Sequence, residues 1–193
     1  QALTRLGLTE EAAKWEKKAA VARNPGQRTR QMAEIMREQM ENGDRGEAIA
    51  IANALLSRDP FSRSVRNERY QQDQAARTLK KFGELDAYID KLKTQLSAAP
   101  DSPRLNAQLA IAMQARDPKS AEPYYRKLVE LKPKDPEWLQ QFGNILMQSE
   151  NFKEAMDMYD QILAENPTLL FAQGTNFVEP YRRTKSWQRL ADA

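Results

Sequence analysis

The chain has 193 residues and a formal net charge of only +3, because 30 lysines and arginines face 27 aspartates and glutamates. It contains no cysteine and no histidine, which excludes a disulfide framework and thiolate chemistry and removes the commonest catalytic bases and transition-metal ligands. Good helix formers dominate, glycine is scarce, and no long segment alternates between polar and apolar residues. The sequence therefore predicts an all-α protein.

Five segments that end in proline punctuate the chain, at Pro25, Pro60, Pro100, Pro133 and Pro167. The intervals between them are 35, 40, 33 and 34 residues. The last two segments, "SAEPYYRKLVELKP" and "FKEAMDMYDQILAENP", also repeat an alanine and a tyrosine at the same offsets from the proline. A period near 34 residues with a proline at its end is typical of helix-turn-helix repeats.

These intervals divide the chain into units of two helices, called A and B. We predict one array over residues 1–193, whose parts are helix B of a truncated repeat at 8–25, full repeats at 29–62, 63–102, 103–135 and 136–169, and a degenerate terminal repeat at 170–193. The long second interval, from Pro60 to Pro100, predicts a lengthened helix A from about Ser64 to Phe82. Pro180 predicts a kink or a break at Glu179–Pro180, because proline costs about 3 kcal/mol inside a helix.

The segment from Pro136 to Leu169 resembles the tetratricopeptide repeat. Its Gly143, Ala155, Tyr159 and Pro167 occupy positions 8, 20, 24 and 32 of that family's repeat. The resemblance implies antiparallel helix pairs stacked into a right-handed superhelical solenoid, with small residues allowing close helix contact and the tyrosine filling the gap to the next pair. It also implies a protein that binds other proteins and catalyses nothing.

Positions 4, 7, 8 and 11 of each repeat lie on one stripe of helix A and are expected in the core. They include Met32 and Met36, Leu109 and Met113, and Leu139 and Leu146. The resemblance implies that positions 2, 5, 9, 12 and 13 line a concave groove for a partner peptide or helix. The groove residues that we single out are Arg30, Arg37, Tyr70, Arg77, Lys80, Lys81, Arg104, Gln140 and Asn144.

Six of these groove residues are cations, so the expected partner is an acidic peptide, whose carboxylates suit guanidinium groups. The alternative interpretation is an ordinary solvated surface, since helices commonly carry such residues. The family's clamp for chaperone tails needs lysine at position 5 and asparagine at position 9 of its first repeat. Here these positions hold Ala33 and Arg37, which argues against that partner.

Two other functions stay open from the sequence. Basic groove residues could track the phosphates of RNA, although the near-neutral charge and the shortage of groove aromatics argue against nucleic acid. Apolar residues in the half-repeats at the two ends, which are Trp15, Phe177 and Trp187, could instead support end-to-end self-association.

The sequence gives no sign of an enzyme, a cofactor or a metal site. The "GDRG" segment at Gly43–Gly46 lacks the lysine and hydroxyl residue of a phosphate-binding loop and is predicted to be a turn. Asp157 and Asp160 are predicted to be solvated surface residues. No apolar run reaches the length of a membrane-spanning helix, and the start at Gln1 without a signal-like segment leads us to expect a piece of a longer protein. Cytoplasmic and exported locations both fit.

Overall fold

A computed structural model describes residues 25–61 and 65–192, and all of the regular structure in these ranges is helical. The all-α prediction is therefore confirmed. The helix predicted at 8–25 lies almost entirely outside the described residues, as does Trp15. The chain divides into two compact units between Arg116 and Asp117, and each unit is considered separately below. The repeat boundaries given above stay a prediction.

The first unit contains five helices in its described part: α1 (Pro25–Asn42), α2 (Arg45–Leu56), α3 (Val65–Phe82), α4 (Leu85–Ala98) and α5 (Pro103–Arg116). Helix α3 is helical from the first described residue after position 64 and ends at the predicted residue, Phe82. Successive helices pack against each other, and α3 also packs beside both α1 and α5. Three helices of type A thus lie next to each other within this unit.

The turn between α1 and α2 forms where the sequence predicts it. Gly43 has a φ of 78°, a left-handed conformation that glycine adopts without steric cost. Asp44 then caps α2, since its carboxylate accepts a hydrogen bond from the Glu47 amide. The "GDRG" segment is therefore a helix-capping turn, as expected.

Side chains from two other helices of the first unit bind the carboxyl end of α2. The Leu56 carbonyl oxygen accepts hydrogen bonds from Gln108 Nε2 at 3.0 Å and from the Tyr88 hydroxyl at 3.4 Å. Burial raises the pKa of Tyr88 above its usual range, so this hydroxyl stays protonated and can donate. One carbonyl at the end of α2 is thereby held by side chains from α4 and α5.

The second unit starts with a short 3₁₀ turn (Pro118–Ala121), followed by α6 (Glu122–Leu131), α7 (Pro136–Gln148), α8 (Phe152–Glu165), α9 (Leu169–Thr184) and α10 (Trp187–Asp192). Asp117 caps the 3₁₀ turn through Ser120. The predicted core positions Leu139, Phe142, Gly143 and Leu146 are all buried. The amphipathic pattern of helix A is confirmed in α7.

Each repeated tyrosine fills the gap to the next helix pair, as the resemblance implies. Tyr125 and Tyr159 are both fully buried. The Tyr125 ring lies 6.2 Å from Trp138 on α7, and the Tyr159 ring lies 4.7 Å from Phe177 on α9. In each case the tyrosine of helix B packs against an aromatic side chain of the helix that follows, which is how one pair is joined to the next.

A kink or a break was predicted at Glu179–Pro180. The break is wrong, because α9 continues through Pro180 to Thr184, and the kink stays a prediction. Side chains on both sides of the proline are fixed on α8. Phe177 packs on Tyr159, and the Tyr181 hydroxyl donates a hydrogen bond to Asp160. Burial of Phe177 and Tyr181, which are 1% and 0% exposed, offsets the local cost of the proline.

Candidate partner-binding surface

The most accessible part of the predicted groove lies on α3. Tyr70 is 58% exposed, and Arg77, which follows two helical turns later on the same face, is also exposed. The Arg77 side chain makes no hydrogen bond or ion pair with any described residue. Lys81 continues this exposed row one turn further and lies 6.0 Å from the Phe82 ring. An aromatic ring and two cations therefore share one solvated face.

The neighbouring helix α1 presents cations and anions together. Arg30 and Arg37 are exposed as predicted, and the Arg37 Nε donates to the Ala33 carbonyl at 3.3 Å. Glu34, Glu38 and Glu41 are exposed on the same helix. Their charges reduce the positive potential that Arg30 and Arg37 create. The exposed described side chains of α3 include no acid, and Asp73 of this helix is half-buried and paired with Arg69.

Two of the predicted groove cations have structural roles. Lys80 Nζ donates to the carbonyls of Ala115 and Arg116, both at 2.9 Å, at the end of α5. Arg104 Nη2 donates to the Ser57 carbonyl at 2.6 Å, at the end of α2. The last carbonyls of a helix have no partner within the helix and carry partial negative charge. Lys80 and Arg104 therefore hold helices together in the first unit.

Arg45, which is not among the predicted groove residues, also binds the carboxyl end of a helix. Arg45 Nη2 donates to the Phe82 carbonyl at 2.7 Å, at the end of α3, and to Glu84 Oε1 at 3.1 Å. Each of these contacts joins residues 35 or more positions apart. Sequence reading missed them because the acceptor is a backbone carbonyl, which no residue type marks.

Several positions predicted to face the groove are instead buried. Ala33 is 1% exposed, Ala107 0% and Ile111 1%. The reason is that α1 and α5 each pack against α3 as well as against their own partner helix, so more than one stripe of each helix is covered. The assignment of positions 5 and 9 to the groove is wrong for α5, and that of position 5 is wrong for α1.

The predicted amides Gln140 and Asn144 belong to the second unit. Both are half-buried on α7. Asn144 Oδ1 accepts a hydrogen bond from the Tyr159 hydroxyl at 2.9 Å, and Gln140 also has a partner. Burial raises the pKa of Tyr159 above its usual range, so the hydroxyl remains a donor. Asn144 orients this buried tyrosine.

The second unit has a cleft that sequence reading did not identify. Its volume is about 460 Å³, and Leu139 and Ile162 form its buried floor. Pro133 and Pro136 line one side, while the rim carries Lys134, Gln161, Glu165 and Asn166. The prolines at the repeat boundaries were the only available signal, and they mark a turn rather than a cavity.

Asp157 and Asp160 were predicted to be solvated surface residues. In the structure both bind a distant arginine. Arg189 donates from Nη2 to Asp157 Oδ1 at 2.5 Å and from Nε to Asp160 Oδ2 at 2.7 Å. In the described part of the chain, no group of three or more acidic side chains is placed to hold a metal ion. None of the described helices is both long and apolar enough to cross a membrane.

Solved structures of similar fold agree with this architecture. MamA RS-1, as the ArsTM double mutant, superposes with a TM-score of 0.51 at 13% identity, covering 89% of this chain and 92% of that one. MamA AMB-1 gives a TM-score of 0.50 at 19% identity, with 86% of each chain covered. MamA MSR-1 gives 0.50 at 18% identity, with 84% and 90% covered. These likenesses show the fold alone.

Sequence comparison identifies the repeat directly. No curated protein matches the chain. The tetratricopeptide repeat family model matches residues 112–172, a range that includes the two clearest copies of the tyrosine and proline pattern. The predicted resemblance is confirmed there: residues 112–172 are tetratricopeptide repeat sequence, within an all-helical chain whose fold is that of a helical repeat protein.

Proposed function

We propose that this protein is a non-catalytic interaction scaffold and that α3 of its first unit binds an acidic segment of a partner protein. The observation that carries the proposal is the exposed Tyr70 on the same helix face as Lys81 and as Arg77, which pairs with no described residue. A helical repeat fold is consistent with a protein-binding scaffold. The chemistry of the partner is inferred from α3.

The exposed face of α3 that carries Tyr70, Arg77 and Lys81 suits a partner that combines carboxylates with an apolar side chain. A guanidinium group binds a carboxylate through two parallel hydrogen bonds, and no described residue occupies the donors of Arg77. Tyr70 offers a rigid ring that can bury apolar surface with little loss of side-chain entropy. The exposed glutamates of α1, a helix that packs against α3, would repel a partner that is acidic along its whole length, which favours a short acidic segment.

The test is a selection of short acidic peptides on the intact chain, followed by affinity measurements by fluorescence anisotropy. Arg77→Glu is expected to weaken the selected peptide about 5- to 150-fold, because an attraction is replaced by a repulsion. Tyr70→Ser should weaken it as well. Neither change should alter stability, because both side chains are exposed.

The matched control is Lys93→Glu. Lys93 is an exposed cation on α4 of the same unit and makes no ion pair with a described residue. Arg182 is a poorer control because it binds Glu179. Equal weakening by both charge reversals would show diffuse attraction rather than a site. The absence of any binding acidic peptide at low ionic strength would overturn the proposal, whereas a steeply salt-dependent affinity for single-stranded RNA would favour the nucleic-acid alternative.

A further inference from the structure

The last helix of the described chain, α10, is joined to α8 by polar contacts and is only partly covered. Its six residues run from Trp187 to Asp192, and none of them is buried. Trp187, the largest of these side chains, is 50% exposed. A helix this short has little stability of its own. Because Trp187 and Leu190 are only partly covered, polar contacts must contribute to keeping α10 in place.

The strongest contact of α10 is made by one side chain. Arg189 binds Asp157 and Asp160 of α8, as described above, and we call these three residues the Arg189 clamp. The hydrogen bond to Asp157 is the main reason that the pKa of Arg189 lies above its usual range. The Tyr181 hydroxyl of α9 binds the other oxygen of Asp160. Asp160 is thus fixed in the orientation in which it receives the guanidinium.

The clamp is accessible to solvent ions. The side chains of Arg189, Asp157 and Asp160 are 35%, 48% and 28% exposed. Electrostatic screening shortens from about 10 Å at 0.1 M salt to about 3 Å at 1 M. An exposed ion pair therefore weakens strongly over this range, whereas apolar contacts do not.

We propose that α10 is a releasable latch that the Arg189 clamp holds against α8. In the closed form, α10 covers the carboxylates of Asp157 and Asp160. In the open form, these carboxylates and the Tyr181 hydroxyl face solvent at the edge of the second unit. Opening and closing respond to ionic strength without unfolding of α8 or α9, because those helices keep their own buried contacts through Tyr159, Phe177 and Tyr181.

Amide hydrogen exchange measured by NMR on the intact chain tests this proposal. Between about 0.1 M and about 1 M sodium chloride, exchange of the Leu190 to Asp192 amides should accelerate roughly fivefold relative to amides inside α8. Arg189→Gln keeps most of the side-chain length but removes the charge. It should give the same acceleration at low salt and abolish the salt dependence.

The control is Arg183→Gln. Arg183 is an exposed arginine on α9 that binds Glu179 and makes no hydrogen bond or ion pair with a residue of α10, so α10 should keep its protection and its salt response in this variant. Three results would overturn the proposal. These are salt-independent exchange in the unmodified chain, an equal effect of the two substitutions, and a loss of protection in α8 that parallels the loss in α10.

Discussion

Replacement of Gly143 by alanine tests whether close packing of α7 on α8 depends on this glycine. A Cβ atom at position 143 would lie 2.8 Å from Tyr159 Cζ and closer still to Cε1. The tyrosine cannot easily move away. It is fully buried, its hydroxyl binds Asn144, and its ring packs on Phe177. The two helices must therefore separate or the ring must leave its position.

Two opposing effects decide the size of the change. Alanine in place of glycine within a helix stabilises by about 1 kcal/mol. Overpacking of a well-filled core costs about 1–3 kcal/mol, and the fixed ring places this case near the upper end. We expect a net loss of about 2 kcal/mol in the stability of the second unit. Hydrogen exchange of the core amides in α7 and α8 measures this loss without assuming that both units unfold together.

Gly46→Ala is the matched control in the first unit. A Cβ atom there would meet only Asp44 Oδ1, at 3.8 Å, which is ordinary contact. That variant should be as stable as the parent protein or slightly more so. The double variant Gly143→Ala with Tyr159→Leu should lose less than the sum of the two single changes, since the smaller side chain relieves the clash. If Gly143→Ala proves neutral or stabilising, the close-packing argument is refuted.

Three further predictions concern single contacts. Lys80→Gln should destabilise the first unit by about 1 kcal/mol in chemical denaturation, because two carbonyls at the end of α5 lose their cation, whereas Lys81→Gln should have no effect. Asp135→Ala should cost the second unit about 1 kcal/mol, since its carboxylate accepts hydrogen bonds from the Glu137 and Trp138 amides at the start of α7; a loss below the error of a denaturant titration would contradict this. Hydrogen bonds, first from Arg182 and then from Arg183, lower the pKa of Glu179 from 4.5 to about 2. The stabilising contribution of the Glu179 carboxylate is therefore full above about pH 4.5 and is lost as the pH falls towards 2. An NMR titration midpoint near 4.5 for Glu179 would disprove the pairing.

The features that the sequence predicted well depend on residues close together in the chain. The turn at Gly43 needs only a residue that tolerates positive φ and a capping aspartate. The length of the described part of α3 follows from the length of one proline interval. The packing of Tyr159 follows from its repeat position. Each of these is local or repeats with a fixed period, so one chain without relatives is enough to predict it.

The features that were missed join distant parts of the chain. The Arg189 clamp links residues 29 and 32 positions apart, and neither the arginine nor the aspartates stand out from other charged surface residues. The continuity of α9 through Pro180 likewise depends on what Phe177 and Tyr181 contact on α8. Propensity correctly gives a local cost for the proline, but tertiary packing determines whether the helix ends there.

In the predicted groove, the sequence also fails to separate the roles of two neighbouring residues. Lys80 and Lys81 are adjacent and chemically identical, yet Lys80 binds the end of α5 while Lys81 stays on the solvated face of α3. A 100° step around the helix separates a structural cation from one that a partner can reach. Of the six predicted groove cations, Arg30, Arg37, Arg77 and Lys81 remain available. An acidic partner of the kind proposed above would therefore pair with at most four of these side chains without breaking a contact to a helix end. Two of the four lie beside the glutamates of α1, so its affinity should fall less steeply with salt than the sequence alone would suggest.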